Sequence, residues 1–303
     1  MQLETVATGL QFPEGPIALS DDSILLVEIR RQTLTRVAPT GETTVVARLG
    51  GGPNGAAIGP DGRVYICNNG GFAWVDLGHG VMAPHGKADD YAGGSIQVVD
   101  LATGAVETLY VECDGRLLSS PNDLVFDSQG GFWFTDLGKD HETSHDHGAV
   151  YYASIDGGFI SRQRDKVAWP NGCGLSPDEK TLYVSETWTG RLWAFDLAEP
   201  GVLKTAEAFM PGRPILTMPG YQPFESLAVQ ANGDICVATC INGGVSIISP
   251  SGDIQHVPVP DFVTTNICFG GADMKNAWIT GSATGTLFKA RWAEAGLKLA
   301  FNA

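Results

Sequence analysis

One polar residue recurs along this chain just ahead of an apolar run: Glu14, Asn54, Asn122, Asn171, Glu225 and Asn266, at intervals of 40, 68, 49, 54 and 41 positions. Each begins the same pattern, an apolar run, a turn rich in Asp, Gly or Asn, and a second apolar run. The clearest copy reads Gly174-Leu175, Pro177-Asp178-Glu179, Leu182-Tyr183-Val184 and Leu192-Trp193-Ala194-Phe195. Two intervals are lengthened by insertions near 70–94 and 138–147. Allowing for them, the period is about 40–45 residues, the spacing of four-stranded propeller blades. The pattern therefore predicts an all-β fold, a six-bladed β-propeller of four-stranded blades, with residues 1–303 as a single domain. The last unit is a strand short, and residues 1–10 (Leu3, Val6, Leu10) supply a spare. The N-terminal strand is expected to complete the last blade and close the ring. No amphipathic helical period persists, so helix content is expected to be very low.

Composition agrees. The 39 glycines are spread through doublets and turns, as many tight β connections require. A net charge of −15 argues against a nucleic-acid partner, because no basic patch exists to displace counterions from phosphates. No apolar run approaches the roughly 20 residues that cross a bilayer. The N-terminus lacks a basic region followed by an apolar core, so a cytoplasmic protein without a membrane partner is expected. The six cysteines form no CxxC pair and read as buried free thiols.

If each marker begins the innermost strand of its blade, all six point into the central channel at one face. The connection between second and third strands returns to that face, which makes both insertions lids over its mouth. Segment 211–223, with Ile215, Leu216, Met218 and Tyr221, is expected to run into the fifth inner strand from the same side. The markers offer oxygen ligands and no His or Cys. Hard cations such as Ca²⁺ take such ligands at about 2.3–2.6 Å, whereas zinc prefers nitrogen and sulfur. Two carboxylates neutralise a dication, and a subset of four protein ligands leaves positions for water and substrate. Asn-Gly and Glu-Gly are also ordinary turn formers. Six in register nevertheless make a polar ring that something must satisfy.

Phe12-Pro13-Glu14-Gly15-Pro16, Pro121-Asn122-Asp123, Pro170-Asn171-Gly172 and Cys268-Phe269-Gly270-Gly271 resemble the gluconolactonase/regucalcin (senescence marker protein) family, in order and over essentially the whole chain. The resemblance implies a divalent metal at the channel floor, Ca²⁺ first with Zn²⁺, Mg²⁺ or Mn²⁺ as alternatives, and a small-molecule lactone as substrate. It carries metal ligation onto Glu14, Asn171 and Glu225, with Asn122 as fourth ligand or substrate contact. Two departures stand out. The family usually has Asp where this chain has Glu225, which moves the carboxylate by about 1.5 Å. Sugar-lactone members tend to place an Arg near Ser120. The implied reaction is metal-assisted ester hydrolysis, with the cation stabilising the oxyanion and Glu225 as base, Asp123 being the second candidate.

Ser120, Asn122, Trp188 and Tyr221 are the candidate substrate contacts, Trp188 being weighed equally as ordinary blade packing. Phe72, Trp74, Met82, Met218 and Tyr221 suggest an apolar ligand preference. A phosphotriester hydrolase on the same site and a non-catalytic metal-binding propeller are the competing readings. His141, His145 and His147 lie in an acidic stretch read as a solvated loop, with a second metal site or proton relay as alternative. Ser119-Ser120 and Ser185 lack the strand–elbow–helix setting of a hydrolase nucleophile. Oligomeric state is left open.

Overall fold

Short β-branched and aromatic runs separated by Asp/Gly/Asn turns favour antiparallel meanders. In the computed structural model, which describes residues 2–206 and 209–301, they form nothing else of regular structure: no helix occurs among the described residues. Blade one runs outward from the axis as Pro13–Ala18, Ile24–Glu28, Thr33–Val37 and Thr43–Arg48. Blades two, three, four and five begin with inner strands Pro53–Ile58, Pro121–Phe126, Pro170–Leu175 and Phe224–Val229. Blade six takes Thr264–Gly270, Asn276–Gly281 and Thr286–Arg291 from the end of the chain and Leu3–Ala7 from its start. The six blades form a β-propeller, closed by the N-terminal strand as predicted. Closure in this manner ties both ends of the chain into one sheet, with Leu3–Ala7 as the outer strand of the last blade.

The core is divided among the blades. Six clusters of buried apolar residues lie one between each pair of neighbours. Between blades three and four, for example, Val125 and Trp133 pack against Leu182 and Trp193.

The inner strands are what position the candidate site. In every blade the register between first and second strands slips at or beside the marker residue. Such a bulge bends a strand and re-aims its side chain. Neighbouring inner strands also approach to backbone contact. A Cβ on Gly55 would lie 2.6 Å from the Asn122 carbonyl oxygen, and one on Gly172 would lie 2.6 Å from the Leu227 amide nitrogen. Glycine directly after the marker is therefore a packing requirement at these two positions.

Both insertions join second to third strands. Residues 70–94 carry a hairpin, Phe72–Asp76 with Met82–Lys87, that pairs with no blade. Residues 138–147 contain only the bridge between Asp140 and His145. Segment 211–223 differs from the expected connection, because Arg213–Thr217 is the outer strand of blade four, paired with Arg191–Glu199. Val202–Leu203 first folds back on the far end of that long strand, which delays the outer strand. Pro214 is tolerated there because the strand is an edge. At the opposite end of the channel, Leu297, Leu299 and Phe301 lie across a cavity of about 110 Å³ walled by inner-strand residues such as Ile17 and Phe126.

Replacing Gly172 by Ala is expected to lower stability by about 2–3 kcal/mol, the usual cost of forcing atoms into a filled space. Urea unfolding measures it; an unchanged midpoint contradicts the backbone contact.

Candidate active site

Glu14, Asn54, Asn122, Asn171 and Asn266 are buried at the start of their inner strands, and Glu225 is half-buried. Asn171 Nδ2 donates to Glu225 Oε2 at 2.8 Å and to Thr187 Oγ1 at 2.9 Å. Across the ring closure, Asn266 Nδ2 donates to Glu14 Oε2 at 2.7 Å, and the Gly15 amide donates to the same oxygen at 2.6 Å. The structure thus brings Glu225 to Asn171 and Glu14 to Asn266. Second-strand hydroxyls fix the backbone beneath these pairs. Thr135 Oγ1 accepts the Asp123 amide and donates to the Asn171 carbonyl, while Ser185 Oγ accepts the Gly172 amide and donates to the Glu225 carbonyl at 2.6 Å.

Asp123 is placed differently from its neighbour Asn122. Its Oδ1 accepts the Leu124 amide at 2.9 Å and its Oδ2 the Cys173 amide at 3.2 Å, and it lines the channel cavity beneath the markers. Both oxygens are therefore engaged in holding inner strands. Glu225 Oε1 has no such engagement, and its residue keeps partial exposure.

Burial dominates the electrostatics. It pushes the Glu14 carboxyl well above its usual range, against the Asn266 and Gly15 hydrogen bonds and with help from the negative charge of Asp123 and Glu225. Burial likewise raises Glu225 to about 7, offset in part by Asn171, and Asp123 to about 7, offset by the Cys173 and Leu124 amides. None of the three forms an ion pair among the described residues. Two oxygens at this face, Glu14 Oε1 and Asn122 Oδ1, are buried without a protein partner. Uncompensated carboxyls with orphaned oxygens fit a hard dication, which would supply the missing charge and take amide oxygens as further ligands. No group of three or more His, Cys, Asp or Glu is arranged as a metal site among the described residues, so any ion here relies on the asparagines.

Further unpartnered buried atoms gather at the same face: Asn69 Nδ2, Ser120 Oγ, Trp169 Nε1 and Gln222 Oε1. Each belongs to a loop beside an inner-strand start, and buried polar atoms of this kind call for a ligand or water. Two aromatic residues there hold left-handed backbone, Phe12 at φ 58° and Trp169 at φ 47°. This costs about 1–3 kcal/mol for a bulky residue and concentrates at functional sites. Phe12 meets Trp74 of the first insertion edge-on at 5.2 Å, and Trp169 meets His145 of the second at 4.7 Å. Each strained residue thereby seats one insertion on the ring. Trp188 and Tyr221 are exposed and stack with centroids 6.2 Å apart and planes within 13°.

The acidic loop departs from a uniformly solvated one. His141 Nε2 meets Asp146 Oδ2 at 3.1 Å and His145 Nδ1 meets Asp140 Oδ1 at 2.7 Å, while His141 and His147 line a neighbouring cavity that His145 does not; among the described residues the three are not grouped as metal ligands. The residue that sequence reasoning missed is Lys139. It is buried, donates from Nζ to the Asn69 carbonyl at 2.8 Å, and lies over the rings of Phe72 and Tyr91 at 4.1 and 4.9 Å. Burial lowers its ammonium to about 7, against the pull of Asp136 and Asp140. A lysine between acidic neighbours carries no signal of burial in the sequence. All six cysteines are free thiols.

Comparison with known proteins places this geometry in context. The pattern described as the SMP-30/Gluconolactonase/LRE-like region matches residues 12–283. A lactonase, drp35, of Staphylococcus saprophyticus is 30% identical over 252 residues, covering 82% of this chain and 70% of that protein. A gluconolactonase of Zymomonas mobilis is 23% identical, covering 88% and 76% respectively. Among solved structures, a gluconolactonase from Xanthomonas campestris superimposes with a TM-score of 0.73 at 25% identity, covering 95% of this chain and 88% of that one.

The buried carboxyls make stability depend on pH in an unusual direction. A carboxyl whose folded pKa is raised contributes stability that is complete below its unfolded value, about 4, and is lost as pH rises through the folded value. For Glu225 and Asp123 that loss runs up to about pH 7, and Glu14 adds to it in the same direction. Cation-free protein is therefore expected to melt at a higher temperature near pH 5.5 than near pH 8, and Glu225→Gln to shrink the difference. A difference of opposite sign in scanning calorimetry, or one that Glu225→Gln leaves intact, contradicts the assignment.

Proposed function

This chain belongs to the SMP-30/gluconolactonase/LRE-like family, and on that premise we propose that it hydrolyses a lactone at a divalent-cation site, Ca²⁺ by preference. The observation that carries the reading is the pair of carboxyls, Glu14 and Glu225, each bonded to a neighbouring asparagine and neither balanced by a cationic side chain among the described residues. Glu14, Asn122, Asn171 and Glu225 are the proposed ligands. When bound, a divalent cation there supplies Lewis-acid polarisation of the acyl carbonyl and lowers the pKa of water.

The side chains provide the remainder. Glu225 is the base: Asn171 fixes Oε2, which leaves Oε1 to take the proton of the attacking water. The water oxygen bonds to the acyl carbon, the ring C–O bond breaks, and the protonated Glu225 returns its proton to the departing ring oxygen. The product is a hydroxy acid. Asp123, with both oxygens committed to amides, ties the inner strands of blades three and four together, so it is the weaker candidate for this transfer. Ser120 Oγ, unpartnered, would donate to a substrate oxygen, while the unpartnered Asn122 Oδ1 can only accept and would take either the cation or a substrate hydroxyl. The Trp188–Tyr221 stack offers an apolar wall, and the 72–87 hairpin limits water at the mouth.

Acid release from a panel of sugar, aliphatic and aromatic lactones tests the reading, with a phosphotriester in parallel. Chelation is expected to abolish turnover and added Ca²⁺ to restore it. Glu14→Gln and Glu225→Gln are each expected to lower kcat/KM by about 10²-fold or more. Full-rate lactone opening after complete cation removal overturns the metal dependence. Turnover of the phosphotriester alone overturns the lactonase assignment.

A further inference from the structure

Among the described residues Lys139 is 1% exposed, which makes it the largest fully buried side chain that bears a charge. An ammonium has three N–H donors and no acceptor capacity. One donor reaches the Asn69 carbonyl; the faces of Phe72 and Tyr91 attract the charge but accept no directed bond at the remaining positions. No carboxylate among the described residues pairs with it. The nearby carboxylates are committed elsewhere. Asp136 accepts the amides of Ser119, Ser120 and Gly138, and Asp140 is bound to His145. Asp146 takes the Ser119 hydroxyl and the His141 ring.

Asn69, whose carbonyl takes that bond, also carries a side-chain Nδ2 that is buried with no acceptor. The surroundings are rich in donors and poor in acceptors, and the walls are aromatic. A group that only fastened the two insertions together would gain from the rings and the one carbonyl, yet would leave two N–H donors of a desolvated ammonium without acceptors. What the cluster lacks is an anion with several acceptor oxygens.

We infer that Lys139 and Asn69 form an anion subsite at the junction of the two insertions, and that it receives a carboxylate carried by the substrate. This rests on the lactonase reading and deepens it to acidic lactones. The Asn69 amide donates to the Gly52 carbonyl, two residues ahead of the marker Asn54. The subsite therefore borders the inner-strand start of blade two, at the face where the markers stand. Binding energy gathered at a remote group of this kind helps to orient the reacting centre.

The test uses two lactones of one ring, one bearing a carboxylate and the other its primary amide, assayed on the Ca²⁺-loaded full chain. The intact protein is expected to favour the acid. Lys139→Met is expected to lower the acid-to-amide ratio of kcat/KM by about tenfold or more, chiefly through KM. Lys139→Arg is expected to keep part of the preference. Asn69→Asp, which sets a carboxylate beside Lys139, is expected to lower the ratio without deleting the lysine, and serves if Lys139→Met does not fold. Equal losses on both lactones, leaving the ratio unmoved, overturn the inference and make Lys139 a fastening between insertions. Calorimetric titration with glutarate separates this from the activity: about tenfold weaker binding to Lys139→Met supports the subsite even if no lactone is opened. Equal binding to both proteins overturns it.

Discussion

Backbone contact between neighbouring inner strands is the constraint on which the rest of this propeller depends. Six strands cannot meet around one narrow axis with a full side chain between each pair. Gly55 and Gly172 remove the Cβ where the next strand's carbonyl or amide lies. Thr135 and Ser185 then use one hydroxyl each to join an amide of their own blade to a carbonyl of the next. Ser282 does the corresponding work at closure by donating to the Pro13 carbonyl at 2.7 Å. Because the spacing is set by backbone, the marker side chains are delivered to one face with little freedom. Glu14 and Asn266, 252 positions apart, thereby come within hydrogen-bond reach.

That rigidity is what makes the buried carboxyls tolerable. In a yielding structure Glu14, Asp123 and Glu225 would separate or turn to solvent. Here Thr135, Ser185 and the Gly15 amide hold them, and their charge is left for protons or a cation to balance. The local arrangement lowers stability at neutral pH in return for a site organised before substrate arrives. The longer arm of Glu225, where the family resemblance leads one to expect Asp, matters in this setting. It reaches the Asn171 amide and fixes one oxygen, so the extra methylene produces a defined contact, not a looser carboxylate.

Much of this was legible in the sequence because turn chemistry and marker period are both local signals. The blade count, the part played by Leu3–Ala7 and the positions of both insertions follow from repeats of Asp, Gly and Asn between apolar runs. Less legible were features decided by partners far away in the chain. Arg213–Thr217 contains a proline, which a strand tolerates only at an edge, here one whose neighbour is already in place. The left-handed backbone of Phe12 and Trp169 has no signature in Phe-Pro or Trp-Pro, since a residue before proline ordinarily prefers extended angles. Lys139 was hidden for a related reason: its burial comes from Phe72 and Tyr91, in the other insertion. The separation between Asn122 and Asp123, adjacent residues with opposite environments, is a consequence of strand alternation at a bulge whose exact register the sequence leaves open.

The division between the two kinds of feature has a functional meaning. Inner strands are bound to one another on both sides, so a change there disturbs the whole ring, and the chemistry they present is correspondingly fixed. The insertions are attached through few elements: the 72–87 hairpin pairs with no blade and meets the ring through Trp74 on Phe12, while the second insertion meets it through His145 on Trp169. Their side chains can vary without loosening the axis. Recognition of the substrate's remote groups is therefore free to reside in residues such as Lys139 and Asn69, while bond breaking stays with the markers. A buried ammonium in this layer, beside a floor of acidic and amide oxygens, would keep the proposed anion contact on separate residues from the proposed cation ligands, so that the two sets need not neutralise each other.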